Sequence, residues 1–126
     1  MGHEPTIPRG SEPATEDFLD RVRRKGRTIV FAAEGSDDLR YLDYWRANAN
    51  VGGEAYNHIL LREDPRLLEV WEEFLHGTQF RAGIIKRMGE TEAEIHVKQF
   101  MRLHARLIGL TGGDVAVLAD LLREQT

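Results

Sequence analysis

The hydrophobic pattern of the chain is strongest over residues 65–81. At 100° per residue, the apolar side chains of this stretch collect into one wide arc, which is typical of a helix packed against a core. Asp64 and Pro65 suit the N-cap and the first helical position. The arc consists of Leu67, Leu68, Val70, Trp71, Phe74 and Leu75. The sequence therefore predicts a helix over 65–81.

Two further helices are predicted towards the C-terminus. Gly89 to Thr91 separates the first helix from a patterned stretch over 92–109, and Asp114 suits the N-cap of a last helix. His104 falls in the middle of the apolar face of 92–109, where a histidine is usually a hydrogen-bonded core residue. The apolar faces consist of Ala93, Val97, Phe100, Leu103, Leu107 and Ile108 in one helix, and of Val115, Leu118, Leu121 and Leu122 in the other.

The N-terminal half is predicted to hold a helix and two short strands. Thr15 is a plausible N-cap for a helix that ends at Gly26. Residues 28–33 and 56–61 are runs of strand length, rich in β-branched, aromatic and other apolar residues. Between them, residues 48–53 read Asn-Ala-Asn-Val-Gly-Gly, which we expect to break any regular element.

A short helical turn is also expected ahead of that loop. Ser36 is followed by two aspartates, a pattern that suits an N-cap with acidic residues in the first turn. Two short strands followed by three helices indicate an α+β fold.

The length of 126 residues is that of one ordinary domain. Residues 1–15 contain three of the four prolines and almost nothing large and apolar, so we expect a flexible lead-in or an artificial remnant there. Residues 16–126 are predicted to form a single small domain.

Composition excludes several classes of protein. Charged residues make up 30% and hydrophobic ones 41% of the chain, which argues against a disordered tail, and no apolar run is long enough to insert into a membrane. The net charge of −4 disfavours a general nucleic-acid binder. Cysteine is absent, so any metal would be held by the five histidines and by carboxylates.

The basic run Arg21 to Arg27 is the one local exception to the acidic balance. No aromatic residues are interleaved with it, so we interpret it as a solvated helix end. A surface for an acidic partner is the alternative.

Candidate chemistry lies at one margin of the 65–81 helix. Glu72 and His76 are four residues apart, and His76 and Gln79 are three apart, so the three side chains can meet on one face. A carboxylate, an imidazole and an amide at the edge of a core form a candidate acid–base or metal-ligand cluster. The alternative is a solvated helix margin with a weak Glu72–His76 pair.

The 92–109 helix offers two more candidates at its margin. Glu94 and Lys98 are four residues apart, and in the simplest interpretation they form an ion pair along the helix surface. Alternatively, Glu94 completes a site begun by Glu72 and His76, and Lys98 holds a neighbouring carboxylate. His96 points towards the other margin and ranks lower.

Two stretches of the sequence are distinctive: Ile59-Leu-Leu-Arg-Glu-Asp-Pro65 and Leu68-Glu-Val-Trp-Glu-Glu-Phe-Leu-His-Gly-Thr-Gln79. They resemble a family of toxin domains found at the C-termini of bacterial polymorphic toxins. The family has a strand, an Asn/Asp-Pro turn, a helix of the form E-E-x-x-H-x-x-Q and a later glutamate and lysine four apart. Asn48-Ala49 is similar to its Asn-Ala loop, and the resemblance covers about residues 40–122.

The resemblance implies a zincin-like metallopeptidase toxin. A large carrier would deliver the domain into the cytoplasm of a target cell, where it would act on a macromolecule, expected to be a protein, and a cognate immunity protein would oppose it in interbacterial competition. The implied residues are Glu72, His76 and Glu94 as zinc ligands, Glu73 as the base that activates the zinc-bound water, and Lys98 and Gln79 beside them.

The chain departs from the zincin signature at one ligand, because Glu72 stands where H-E-x-x-H has its first histidine. A competing hypothesis therefore keeps the toxin class without the metal. Glu72 or Glu73, His76 and Lys98 would then serve a metal-independent nuclease or transferase. A third hypothesis is a binding module without catalytic activity.

Overall fold

The computed structural model describes residues 9–10, 12–53 and 57–125. In this part of the chain three strands form one sheet, and six helices lie before, between and after them, so the predicted α+β class and the single small domain are confirmed. The elements are α1 (Glu16–Arg24), β1 (Thr28–Ala32), α2 (Asp37–Tyr44), β2 (Ala49–Gly52), β3 (His58–Arg62), α3 (Leu67–Arg81), α4 (Ile84–Met88), α5 (Glu90–Leu103) and α6 (Gly112–Gln125).

The sheet has the order β1-β3-β2, with β3 in the centre. β1 runs parallel to β3, with Thr28 opposite His58, and β2 runs antiparallel to β3, with Ala49 opposite Leu61. The prediction that residues 48–53 break regular structure was wrong. Val51 of β2 is buried in the core, and the pairing with β3 outweighs the low strand propensity of the Asn and Gly neighbours.

The first two predicted caps are confirmed. The Thr15 hydroxyl accepts a hydrogen bond from the amide of Phe18 at 3.2 Å, and Ser36 accepts one from Leu39 at 3.1 Å. Gly26, at φ +85°, follows α1 in the left-handed conformation that glycine adopts without strain.

The predicted start of the 65–81 helix was wrong by two residues. α3 begins at Leu67 with Arg66 as its N-cap, because the chain just before it is held in a short β-like bridge. The amide of Ala14 donates to the carbonyl of Pro65, and the amide of Leu67 donates to that of Glu12. These contacts keep Pro65 extended and outside the helix.

The predicted helix over 92–109 ends earlier than expected. α5 stops at Leu103, and both Leu103 and Leu107 are exposed, whereas Ala105 and Leu110 are buried in the turns that follow. His104 is half-buried and stacks on Phe100 at 4.5 Å between ring centroids, so its predicted place within the core was wrong.

The cap of the last helix is Thr111 and not Asp114. The Thr111 hydroxyl accepts from the amide of Asp114, while the Asp114 carboxylate accepts from the amide and hydroxyl of Thr111 at 3.1 and 3.2 Å. This reciprocal arrangement is a capping box, with the acidic residue three positions after the cap. Asp114 is fully buried there.

α3 lies at the centre of the domain and packs on both sides. One core cluster joins it to α1 and the sheet, and a second joins it to α5, α6 and the turns between them. The first consists of Leu19, Val22, Val51, Ile59, Leu61 and Val70; the second of Leu68, Val97, Met101, Ala105, Leu110 and Leu118. Packing on two sides therefore fixes the orientation of α3 and, with it, the direction of the side chains on its remaining faces.

Part of the predicted lead-in contacts the domain. Arg9 binds the side chains of Glu69 and Asp64, and Pro13 pairs with Arg66. Residues 1–8 and 11 lie outside the described residues, as do residues 54–56 at the start of the predicted strand 56–61. Within the described ranges, no helix combines the length and the apolar character that crossing a bilayer requires.

Candidate functional site

A cleft of about 280 Å³ opens between α3, α5, the start of β2 and the end of α6. α3 contributes Glu69, Glu72 and Glu73, and α5 contributes Glu94 and Lys98 across from them. Packing on both sides of α3 fixes the direction in which its three glutamates project. The remaining lining residues are Ala47, Asn48, Ala49, Leu68, Leu121 and Glu124. Four of the six predicted site residues thus share one cleft.

Lys98 crosses the cleft to Glu72. Its ammonium nitrogen lies 3.3 Å from Oε2 of Glu72, and the lysine side chain is only 8% exposed. A lysine so deeply buried needs a negative partner, because an unpaired charge in such a place is costly. The ion pair therefore ties α5 to α3 at the wall of the cleft.

Glu73 has the most perturbed acid–base behaviour in the cleft. Burial raises the pKa of its carboxyl group to about 8, and the negative charge of Glu72 acts in the same direction. Glu94 and Glu69 add to this effect, while Lys98 opposes it. At neutral pH Glu73 therefore holds its proton, and its pKa lies close to the pH at which an acid or base is most useful.

Glu69 is neutralised by a different partner. Arg9 makes a two-pronged contact with its carboxylate, at 2.6 Å from Nε and 2.8 Å from Nη2, and Glu69 is only 4% exposed. This contact also raises the pKa of the Arg9 guanidinium. Glu69 consequently has a structural role, because its contact with Arg9 holds the N-terminal segment against α3.

Asn48 lines the cleft and carries a buried acceptor. Its side chain is 8% exposed, and the buried Oδ1 has no hydrogen-bond partner among the described residues. A buried carbonyl oxygen without a donor loses free energy, which a bound donor would restore. The Asn48-Ala49 pair, singled out by the resemblance, thus places one unpaired, buried acceptor beside the cleft.

His76 and Gln79 form a separate cluster. Nδ1 of His76 lies 3.2 Å from Oε1 of Gln79, and Nε2 of Gln79 lies 3.0 Å from the carbonyl of Ala93 and 3.1 Å from Nδ1 of His96. In this arrangement His76 donates from Nδ1, and His96 accepts at Nδ1 and carries its proton on Nε2. Gln79, 5% exposed, is fully engaged in joining α3 to α5.

The two clusters do not combine into one coordination sphere. Among the described residues, no three His, Asp or Glu side chains are arranged to hold a metal ion. His76, the central ligand implied by the resemblance, is bonded to Gln79 and lies outside the lining of the cleft that contains Glu72 and Glu94. In this side-chain arrangement the implied Glu72–His76–Glu94 set does not fit zinc, and zinc binding stays a prediction.

Sequence reasoning missed two residues of these clusters. His96 ranked low because it points away from Glu94 on its own helix, yet it meets Gln79 from the neighbouring helix. Asn48 was recognised only as part of a loop, and its burial beside the cleft depends on the pairing of β2. For both residues the signal lies in long-range packing.

Comparison of the chain with protein-family models, with curated proteins and with solved structures gives no match.

Proposed function

We propose that the cleft is the active site of a small toxin effector domain, a hydrolase that works by acid–base chemistry without a metal. The observation that carries the proposal is the raised pKa of Glu73, about 8, next to the ion pair of Glu72 with Lys98. Sites of this kind typically contain two neighbouring carboxyl groups in different protonation states, one as the acid and one as the base. The toxin class, the delivery into a target cell and the immunity partner come from the family resemblance.

Each residue of the cleft has a role in this proposal. Glu72 accepts a proton from a water molecule as the water oxygen attacks the substrate. Glu73 gives its proton to the leaving atom as the scissile bond breaks, and the two glutamates then exchange states through solvent. Lys98 orients Glu72 and stabilises negative charge that develops nearby. Asn48 accepts a hydrogen bond from a donor on the substrate.

The charge of the cleft supports a neutral or cationic substrate. Lys98, the one cation among the described lining residues, is paired with Glu72, and the other charged residues of the lining are glutamates. The cleft therefore offers no unpaired cation of its lining to the phosphates of a nucleic acid. A peptide bond or another uncharged acyl or glycosidic linkage fits this environment better. The acidic lining therefore favours a protein target over a nuclease reaction.

The zincin-like metallopeptidase is the second candidate. It is favoured by the placement of Glu72 and Glu94, two of the three implied ligands, on facing walls of the same cleft. For zinc to bind, His76 would have to leave Gln79 and turn towards these carboxylates. Glu73 would then act as the base that takes the proton of the metal-activated water.

Inducible expression in bacteria separates the hypotheses. Wild type, Glu73→Gln and the exposed control Glu92→Gln are compared for growth arrest, and the purified proteins are assayed for zinc. The proposal predicts arrest by wild type and by the control, none by Glu73→Gln, and no stoichiometric zinc. Bound zinc together with loss of activity in a chelator would support the metallopeptidase. Growth arrest by both the Glu73→Gln and the Glu72→Gln variant would show that the cleft is not the active site.

A further inference from the structure

A second cavity lies between α1 and α3. The groove has a volume of about 460 Å³, and its lining consists of Phe18, Arg21, Val22, Arg24, Lys25, Trp71 and Phe74. The three aromatic rings form the floor, with Trp71 tilted by 47° against Phe18 and edge-on to Phe74. Phe18 and Trp71 are 5.2 Å apart between ring centroids, and Trp71 and Phe74 are 6.2 Å apart. This is the size of pocket that proteins use for small ligands.

The rim of the groove carries unneutralised positive charge. Arg21, Arg24 and Lys25 are exposed and form no ion pair within the part of the chain that the structure describes, whereas Arg23 binds Glu16 and Asp20. All three lie at the C-terminal end of α1. The sequence showed no aromatic residues interleaved with the basic run. In the fold, α3 brings Trp71 and Phe74 next to it.

Arg27 adds a buried cation at the edge of the same floor. Its guanidinium carbon lies 4.6 Å from the centroid of Phe74, and its side chain is 6% exposed, which corrects the prediction of a solvated position. It donates to the carbonyl of Lys25 and to the hydroxyl of Thr78, but Nε has no partner among the described residues. Burial and the neighbouring Arg81 lower the pKa of Arg27. The described residues that line the groove include no aspartate or glutamate.

We propose that this groove binds a nucleotide, with a planar base stacked on the aromatic floor and phosphate held by the basic rim. Aromatic rings stack on any base, and arginine and lysine bind phosphate through charge-assisted hydrogen bonds. An acidic peptide would use the rim and leave the aromatic rings of the floor without a planar partner. The groove thus matches both parts of a nucleotide.

The groove is a binding site distinct from the acidic cleft. At 100° per residue, Trp71 and Phe74 project about half a turn away from Glu72 and Glu73 on α3. A nucleotide in the groove therefore does not reach the carboxyl groups. The proposal does not depend on the hydrolase activity, and its failure would leave the cleft unaffected.

Calorimetric titration of the full chain tests the proposal with four probes: adenosine monophosphate, a single-stranded oligoadenylate of eight residues, inorganic phosphate and a glutamate-rich peptide. A Trp45→Phe variant leaves Trp71 as the only tryptophan, so that its fluorescence reports occupancy of the floor. We expect saturable binding of the nucleotide probes with a change in Trp71 emission, and far weaker binding of phosphate and of the peptide. Equal affinity for the mononucleotide and the oligomer identifies a free nucleotide as the ligand, and much tighter binding of the oligomer identifies a single strand.

Substitution of the exposed rim locates the site. Arg24→Gln combined with Lys25→Gln is expected to weaken nucleotide binding about tenfold or more, whereas the matched control Lys86→Gln with Arg87→Gln, at exposed positions of α4 outside the lining of the groove, leaves it unchanged. Circular dichroism confirms that each variant is folded. No binding of either nucleotide probe, binding that is insensitive to the rim substitutions, or binding of the peptide as tight as that of the nucleotide would overturn the proposal.

Discussion

The ammonium nitrogen of Lys98 lies 3.3 Å from the carboxylate of Glu72, and this pair spans a cleft in which burial raises the pKa of the adjacent Glu73 to about 8. Neighbouring positions on α3 thus carry one ion-paired and one protonated carboxyl group. The difference arises because Lys98 satisfies Glu72, whereas burial and the charge of Glu72 act against ionisation of Glu73. The proposed division of roles between base and acid follows from this contrast.

Removing the lysine should destabilise the fold. Lys98→Met leaves Glu72 without its partner and removes the positive charge that opposes the rise of the Glu73 pKa. We expect a loss of about 1–3 kcal/mol in the free energy of unfolding, measured by urea denaturation at pH 7. Lys98→Arg should recover most of this loss, and Lys86→Met at an exposed position should cost less than about 0.5 kcal/mol. A Lys98→Met protein as stable as wild type would show that the pair is not formed.

The pKa of Glu73 predicts a specific pH dependence of stability. The native carboxyl holds its proton up to about pH 8, whereas in the unfolded chain it ionises near its ordinary value of 4.5. Between these values the native state binds more protons, so stability falls as pH rises. Glu73→Gln stays neutral and should remove this part of the decline. We expect the variant to be more stable than wild type by roughly 3–5 kcal/mol at pH 9, and little changed at pH 4.

Thermal unfolding of both proteins across pH 4–9 measures this effect. Glu92→Gln, at an exposed position on α5, is the control and should follow the wild-type curve. Parallel curves for Glu73→Gln and wild type would contradict the raised pKa.

The contact of Arg9 with Glu69 predicts that the N-terminal segment contributes to stability. Both side chains are largely buried, and removing one leaves a charge without its partner. Arg9→Met should therefore destabilise the protein by about 3 kcal/mol, whereas Asp64→Asn, which changes only the exposed arm of the contact, should cost less than about 1 kcal/mol. Equal effects of the two substitutions, measured by urea denaturation, would contradict the dominant role of Glu69.

The capping box of α6 makes a further prediction. Asp114→Ala removes a fully buried acceptor and leaves the amide and hydroxyl of Thr111 without it. We expect a loss of about 1–3 kcal/mol, compared with less than about 0.5 kcal/mol for Asp120→Ala on the outer face of the same helix. Chemical denaturation of the two variants side by side provides the measurement. An equal, small loss in both would show that Thr111 caps the helix without help.

The sequence predicted elements whose signals are local. Thr15 and Ser36 cap helices because their hydroxyls reach amides three residues ahead, and the body of α3 follows from its own apolar arc. β2 could not be predicted in this way, because its Asn and Gly residues have a low strand propensity and only the pairing with β3 makes the segment a strand. The true start of α3 also depends on a distant partner, the segment around Pro13.

The sequence could predict which residues belong to the candidate site, but not which of them contact each other. Helical spacing correctly brought His76 to Gln79. It also grouped Glu72 with them, which was wrong, because Glu72 pairs with Lys98 in the cleft. It could not show that Gln79 turns to His96 and away from the cleft, because that depends on how α3 and α5 cross. The raised pKa of Glu73 also depends on burial supplied by other elements.

The central claim is that chemistry takes place at Glu73 in the cleft and not at His76. The most direct measurement is the growth of bacteria that express wild type, Glu73→Gln or His76→Ala at equal, verified protein levels. We predict growth arrest by wild type and by His76→Ala, and normal growth with Glu73→Gln. Arrest by Glu73→Gln together with normal growth of cells expressing a folded His76→Ala protein would contradict the claim.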